Sequence, residues 1–249
     1  MRHLIKLCYD GTNYHGWQIQ PNAKTVQGVL NELLTEIFGT PIETTGCGRT
    51  DKGVHASMFY AHFDRDEILN ERFLLRANHS LTSDIRLLDI KQVSDNFNAR
   101  FDASERSYEY WVSLTPNPFL HKYALILYKT PDFKAMNKAA EKLLQYNSFG
   151  SFSKTGADNK TDFCKITVAE WKEHEGGLWK FHITSNRFLR GMVRAIVGTL
   201  LDVGFKKISD HDFIQIIESN NRKNAGESVD AHGLFLTDIQ YPNTKLNFL

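Results

Sequence analysis

The chain has 249 residues, 41% of them apolar and 24% charged, and a formal net charge of +1. This composition is that of an ordinary globular protein, and it excludes a disordered chain or one coated uniformly with positive charge for nucleic acid. Its three cysteines are widely spaced and form no CxxC, so neither a disulfide framework nor a zinc site is supported, and reduced thiols in the cytoplasm are the expectation.

In chain order, "HLIKLCYD" predicts a first strand. The opening "MRHLIKLCYDG" is too short in its apolar part for a signal peptide, and Asp10-Gly11 reads as a turn. "TVQGVLNELLTEIFG" predicts a helix: Val26, Val29, Leu30, Leu33, Leu34, Ile37 and Phe38 recur at helical spacing, and Gly39 stops it. Residues 54–63 and 85–93 read as strands, with a helix near 66–77 between them. "RSYEYWVSL" begins a second half as an aromatic-rich strand. "TPDFKAMNKAAEKLLQ" follows as a helix with Phe133, Met136, Ala140, Leu143 and Leu144 inward. A hairpin is expected around Gly176-Gly177, then helices over 188–203 and 209–218, and "HGLFLTDIQY" closes as a strand. Arg190, Arg194 and Asp202 break the longest apolar stretch, which excludes it as a membrane span. Both halves repeat the same order of elements, so two similar α+β units are expected, residues 1–103 and 104–249.

The segment "TGCGRTDKGVHA", residues 45–56, carries Gly46, Gly48 and Gly53 around Asp51. Glycines beyond those a turn requires suggest that something comes close to the backbone. In an extended segment Arg49 and Asp51 point to one side. A cation about 4 Å from the carboxylate would favour its charged form by roughly 4 kcal/mol at an effective dielectric of about 20. A carboxylate kept anionic suits a nucleophile or a base. Ordinary Asp-Lys-Gly turn chemistry, with the carboxylate bonded to its own backbone, is the competing reading. The glycines fit neither a Walker loop nor a dinucleotide fingerprint.

Two further groups are candidates. "RSYEYWV" puts Arg106, Tyr108 and Tyr110 on one side of a strand, a platform on which a base could stack for roughly 1–3 kcal/mol. In a helix over 188–203, Arg187, Arg190 and Arg194 fall within a sector of roughly 60° opposite the apolar face, placed to hold phosphates or balance a carboxylate. A core-lining strand and a solvated helix face are the bland alternatives. The histidines have no ligand spacing, and no metal is assigned.

"GRTDKGVHA" resembles the central motif of the tRNA pseudouridine synthase A family. The similarity extends through "YDGTNYHGWQIQ" with "TVQGVL", "NARFDASERSYEYWV", "FLRGMVRAIVGTLLDVG" and "AHGLFLTDIQY", in order along most of the chain. The resemblance implies isomerisation of uridine to pseudouridine in the anticodon stem-loop of tRNA, at positions 38 to 40. It implies an α+β fold of two ferredoxin-like (RRM-like) units whose mainly antiparallel sheets join, with helices on one face and the active cleft between the units. It implies a homodimer, no cofactor and no membrane partner. By the same resemblance Asp51 is the nucleophile on a flipped-out base and Tyr108 stacks on the uracil. Arg49 and Arg194 meet the Asp51 carboxylate or RNA phosphates, with Arg106 and Arg190 as further substrate contacts. Attack at C1′, attack at C6 and removal of a sugar proton all remain open to Asp51. An RNA-binding module of the same fold without catalysis is the alternative function. A glycosidic hydrolase would need a second carboxylate, for which Asp10 is the nominee. The chain departs from the family pattern at Lys52, Asn147, Ser148, Gly191, Ala195 and Asp230, which bears on RNA contact and the choice of uridine.

Overall fold

The structure is a computed structural model that describes residues 1–156 and 160–242. Its elements run β1 (Arg2–Tyr9), α1 (Val26–Phe38), β2 (Thr45–Gly46), β3 (His55–Asp64), α2 (Glu71–Ser80) and β4 (Ile85–Val93). They continue with β5 (Glu105–Ser113), β6 (Leu125–Ile126), α3 (Phe133–Lys142), β7 (Ile166–His174), β8 (Leu178–Ser185), α4 (Met192–Gly204), α5 (Asp210–Ser219) and β9 (Leu234–Gln240). The class is α+β, with largely antiparallel strand pairing and five α-helices among the described residues. The chain divides into two compact units, one of Met1–Glu105 with the chain from Phe235 on, the other of Arg106–Leu234.

In the first unit β1 pairs antiparallel with both β3 and β4, and β2 pairs with β3. β9 joins β3 in parallel, with His55 opposite Phe235 and Ala56 opposite Leu236. Helix α1 starts where Thr25 accepts from the Gly28 amide and ends at left-handed Gly39, so both ends follow the sequence signals. It buries Val26, Leu30, Leu33 and Leu34, and Phe38 stacks on Phe73 of α2 at 5.8 Å. Helix α2 begins later than the predicted residue 66, because the Asn70 side chain accepts from the Arg72 amide and caps it there. Tyr9, Trp17 and Phe59 form the aromatic heart of this unit, the last two stacked at 4.1 Å. Each buried aromatic of this kind contributes roughly 1.5–3 kcal/mol.

In the second unit β8 lies between β5 and β7, antiparallel to both, and β6 adds to β5 in parallel. The β7–β8 hairpin turns through Gly176 and Gly177, both at positive φ (73° and 74°), which glycine adopts without strain. Helix α3 is capped by Asp132 and buries Phe133, Met136, Ala139 and Ala140. Phe133 lies flat on Trp179 at 3.7 Å. After Lys142 the helix tightens into a 3₁₀ turn, which keeps Leu143 inside and turns Leu144 outward, contrary to the expected inward face. Among the described residues no helix is long and apolar enough to cross a membrane.

His62 on β3 shows what the first core does to a polar side chain. It is buried and its Nδ1 accepts from the Ala99 amide at 3.2 Å, which requires an unprotonated nitrogen. Burial, with Arg2 nearby, lowers its pKa from 6.5 to about 4. The unfolded chain therefore binds a proton that the folded chain refuses between these values. Stability should fall as pH drops from 6.5 towards about 4, and His62→Gln should flatten that slope in urea titrations at stepped pH. An unchanged slope would show that His62 does not carry the effect.

Candidate active site

Asp51 sits on the loop that leads from β2 into β3. β2 ends at Gly46, the Cys47 amide donates to the Tyr60 carbonyl (2.8 Å), and the strand resumes at His55. Between them Arg49 is exposed, Thr50 buried and Asp51 half-buried. Residues 51–54 form a turn closed by the Val54 amide donating to the Asp51 carbonyl at 3.1 Å, with Gly53 at φ 79° in the third position. The Gly53 amide donates to the Tyr14 carbonyl at 3.2 Å, which ties the turn to the segment before α1. A main-chain bond closes this turn, and Asp51 is half-buried on it.

The segment 9–17 holds the loop from behind. The Tyr9 hydroxyl bonds to Thr50 Oγ1 at 2.8 Å, and the Trp17 amide donates to the Thr50 carbonyl at 3.2 Å. A Cβ on Gly16, whose φ is 88°, would stand 2.2 Å from the Thr50 oxygen, and one on Gly11 would stand 2.0 Å from the Val54 oxygen. At such separations only glycine lets the two backbones lie together. The buried His55 ring stacks on Phe235 at 4.6 Å, and its Nδ1 lies 3.0 Å from Asp10 Oδ1 and 3.1 Å from the Gly11 amide. Asp10 also accepts from the Thr12 amide and hydroxyl. Those bonds make Asp10 part of the turn that the sequence predicted, and they argue against it as a second catalytic carboxylate. Tyr14 donates to Asp84 at 2.7 Å, and burial pushes its pKa up to about 12, so it stays a neutral donor.

Two of the motif's three glycines serve the protein's own packing. A Cβ on Gly46 would collide with the Trp17 indole at 2.5 Å and with Phe59 at 2.9 Å, and Gly53 supplies positive φ. Gly48 faces open space, with nothing within 4 Å of its Cβ position. The expectation that the glycines admit a visitor is therefore met at Gly48 and not at Gly46.

In the second unit Tyr108 of β5 is half-buried, opposite Ile183, with Phe188 edge-on to its ring at 5.1 Å. Arg106 donates to the Asn186 carbonyl at 2.9 Å. Tyr110 does not join them in a stacking platform. It is fully buried, donates to the Asp230 carbonyl at 2.9 Å, and closes against Gly233. The predicted arginine sector is also corrected. α4 begins at Met192, after Gly191 in the left-handed conformation, so Arg187 and Arg190 precede the helix. Arg187 reaches the Thr161 carbonyl at 3.3 Å, while Arg190 is exposed. Arg194 is on α4, where eleven of thirteen residues are buried. Its Nε donates to the Val229 carbonyl at 2.7 Å, and its own carbonyl accepts from the Val229 amide. A half-buried arginine on a largely buried helix is a fixed cation, unlike one on a solvated face.

A family model described as tRNA pseudouridine synthase matches residues 139–242, which sets the class, an isomerase. A tRNA pseudouridine synthase A of Bacteroides thetaiotaomicron is 45% identical over 244 residues, 97% of this chain and 91% of the relative. That of Parabacteroides distasonis is 46% identical over 246 residues, 97% of this chain and 96% of the relative. That of Acetivibrio thermocellus is 39% identical over 236 residues, 94% and 96% of the two chains. The chain belongs to the tRNA pseudouridine synthase A family.

If the Gly16–Thr50 approach holds the loop, Gly16→Ala should combine a steric conflict with a strained φ. We expect a loss of about 2 kcal/mol or more in urea unfolding, with activity falling in the protein that remains folded. A variant as stable and active as wild type would show that the approach does not matter.

Proposed function

We propose that this chain isomerises uridine to pseudouridine in the anticodon stem-loop of tRNA, at positions 38 to 40, with Asp51 as the nucleophile. The observation that carries this reading is the placement of Asp51: a half-buried aspartate on a turn closed by a main-chain bond and clamped by residues 9–17. Preorganisation of this kind favours a group that must meet a reacting atom in one geometry. The β1-α1-β2-β3-α2-β4 order, with β1 between β4 and β3 and with β2 on β3, supports reading the first unit as ferredoxin-like.

The reaction needs no redox partner and no phosphate leaving group. The N1–C1′ bond breaks, the uracil turns, C5 bonds to C1′, and the C5 proton leaves while N1 gains one. An ionised Asp51 begins it by attack at C1′, by attack at C6 or by taking a sugar proton. Tyr108 stacks on the detached ring, which offsets part of the few kcal/mol that extruding a base costs. Its hydroxyl is the proposed late base at C5. Arg194 is the fixed cation for the carboxylate or an RNA phosphate, and Arg49, Arg106 and Arg190 contact the RNA. Asp51 falls in the unit of Met1–Glu105 and the chain from Phe235 on, and Tyr108 and Arg194 in the unit of Arg106–Leu234. A homodimer working in the cytoplasm belongs to the same proposal.

Tritium release from C5-labelled uridine in tRNA tests the reading. Wild type should release it, and Asp51→Asn should lose at least about 10³-fold in rate while still binding tRNA. Binding without release by either protein would favour an RNA-binding module; free uracil as product would favour a hydrolase. Tyr108→Phe keeps the stack and removes the hydroxyl, so we expect KM nearly unchanged and kcat reduced by roughly 10²-fold. Full activity in that variant would remove the hydroxyl from the mechanism.

A further inference from the structure

The second unit has an open cavity of about 410 Å³ whose lining includes none of the residues assigned to the reaction. It lies between the stretch 150–156 and the residues that follow α5. Lys154, Arg222 and Lys223 line it against a single carboxylate, Asp162, with Asn220 and Asn221 supplying amide groups. That is an excess of positive charge in a chain whose overall formal charge is only +1. The lining is built. Asn220 adopts the left-handed conformation (φ 46°), and its Oδ1 accepts from Ser148 Oγ at 2.9 Å and from the Gly150 amide at 3.3 Å. A Cβ on Gly150 would stand 2.9 Å from Asp162 Oδ2, so glycine lets that carboxylate sit back against the main chain. Arg222 is committed to shaping the wall, donating to the carbonyls of Ala225 and Gly226 and to Ser228 Oγ. Lys154 and Lys223 are exposed on the other hand, and the Lys154 amide donates to the Arg190 carbonyl at 2.8 Å, which puts exposed Arg190 on the same edge.

We infer that this cavity is a second RNA contact, in which Lys154 and Lys223 take phosphodiester groups of the substrate remote from the modified uridine. This rests on the reading of the chain as a tRNA-modifying enzyme. Point charges on flexible stems suit a polymer whose phosphates vary in position, whereas a small phosphorylated ligand would call for an enclosed site with fixed donors. Ser148, where the chain departs from the family pattern, bonds to the cavity's Asn220, so the departure falls on this proposed contact surface.

The test is the salt dependence of tRNA binding by wild type, Lys154→Ala/Lys223→Ala, and a control, Lys134→Ala/Lys142→Ala, in which two lysines of α3 are removed. Loss of two phosphate contacts should lower the slope of log affinity against log salt by roughly 1.5. The advantage of wild type over the variant should then shrink roughly tenfold between about 50 and 200 mM salt. The control should keep the wild-type slope, and kcat for pseudouridine formation should be the same in all three proteins. A wild-type slope in the cavity variant, or an equal loss in the control, overturns the inference. Failure of the parent reading is separate, because wild type would then bind tRNA without forming pseudouridine and the slopes would still decide the cavity. Inorganic phosphate that competes with tRNA only through wild-type Lys154 and Lys223, while the tRNA slope is unchanged, would assign the site to a free anion and also overturn it.

Discussion

The first unit depends on one close approach, that of the backbone at residues 11–16 to the backbone at 50–54. Two glycines permit it, and any Cβ at either would lie within 2.2 Å of a carbonyl oxygen. Once that contact is made, the remaining bonds follow within a few residues: Trp17 and Tyr9 to Thr50, Tyr14 to Gly53, Gly11 to His55. Trp17 then lies on Phe59 and fills the space that Gly46 leaves. The loop bearing Asp51 is thus held from its N-terminal flank, from its turn and from the strand it enters. A loop fixed at three points loses little further entropy when a substrate arrives.

The second unit uses the same device. Gly198 on α4 would put a Cβ 1.8 Å from the Glu227 carbonyl, so the chain over 226–230 can run directly along the helix. The Gly226 amide donates to Thr199 Oγ1, and Val229 exchanges bonds with Arg194, one from its amide and one to its carbonyl. Tyr110 completes the arrangement by donating to the carbonyl of Asp230, so a tyrosine with the look of a stacking residue serves to pin this strap. In each unit, therefore, a glycine brings two backbones together, main-chain hydrogen bonds lock them, and one ionisable side chain emerges in a fixed place: Asp51 in the first, Arg194 in the second.

What could be read from the sequence follows from what is local. The α1 boundaries rest on Thr25 and Gly39, and the β7–β8 turn on Gly176 and Gly177, where the signal and the structure occupy the same few residues. The family was legible because the motif around Asp51 and the blocks that accompany it stand in order along the chain. The misreadings share a different cause. Helical spacing carried back through Gly191 placed Arg187, Arg190 and Arg194 on one face, but a glycine in the left-handed conformation starts the helix after the first two. Alternation along β5 put Tyr108 and Tyr110 on one side correctly, yet could not tell a half-buried ring from one sealed by Gly233 and Asp230. Gly46 looked like room for a ligand because its true neighbour, Trp17, is 29 positions away. A strand pattern at 234–240 likewise does not say which edge receives it, and its first residues pair in parallel with His55 and Ala56. Non-local neighbours decide these cases, and period and propensity contain none of that information.

The contrast in how side chains are held bears on what each is for. Asp51 and Arg194 emerge from backbone held by hydrogen bonds to neighbouring segments, whereas Lys154, Lys223 and Arg190 are exposed at a rim. A misplacement of about 1 Å in a group that attacks a carbon can cost about 10²-fold in rate, so such a group gains from rigidity. A phosphate contact depends on charge at longer range and tolerates the same displacement with little loss. Under the proposed function the close-packed glycines would therefore serve Asp51 and the arginine that balances charge, and the proposed remote phosphate contacts would stay on long stems, which is the distribution of rigidity that bond-making to a flipped base would favour.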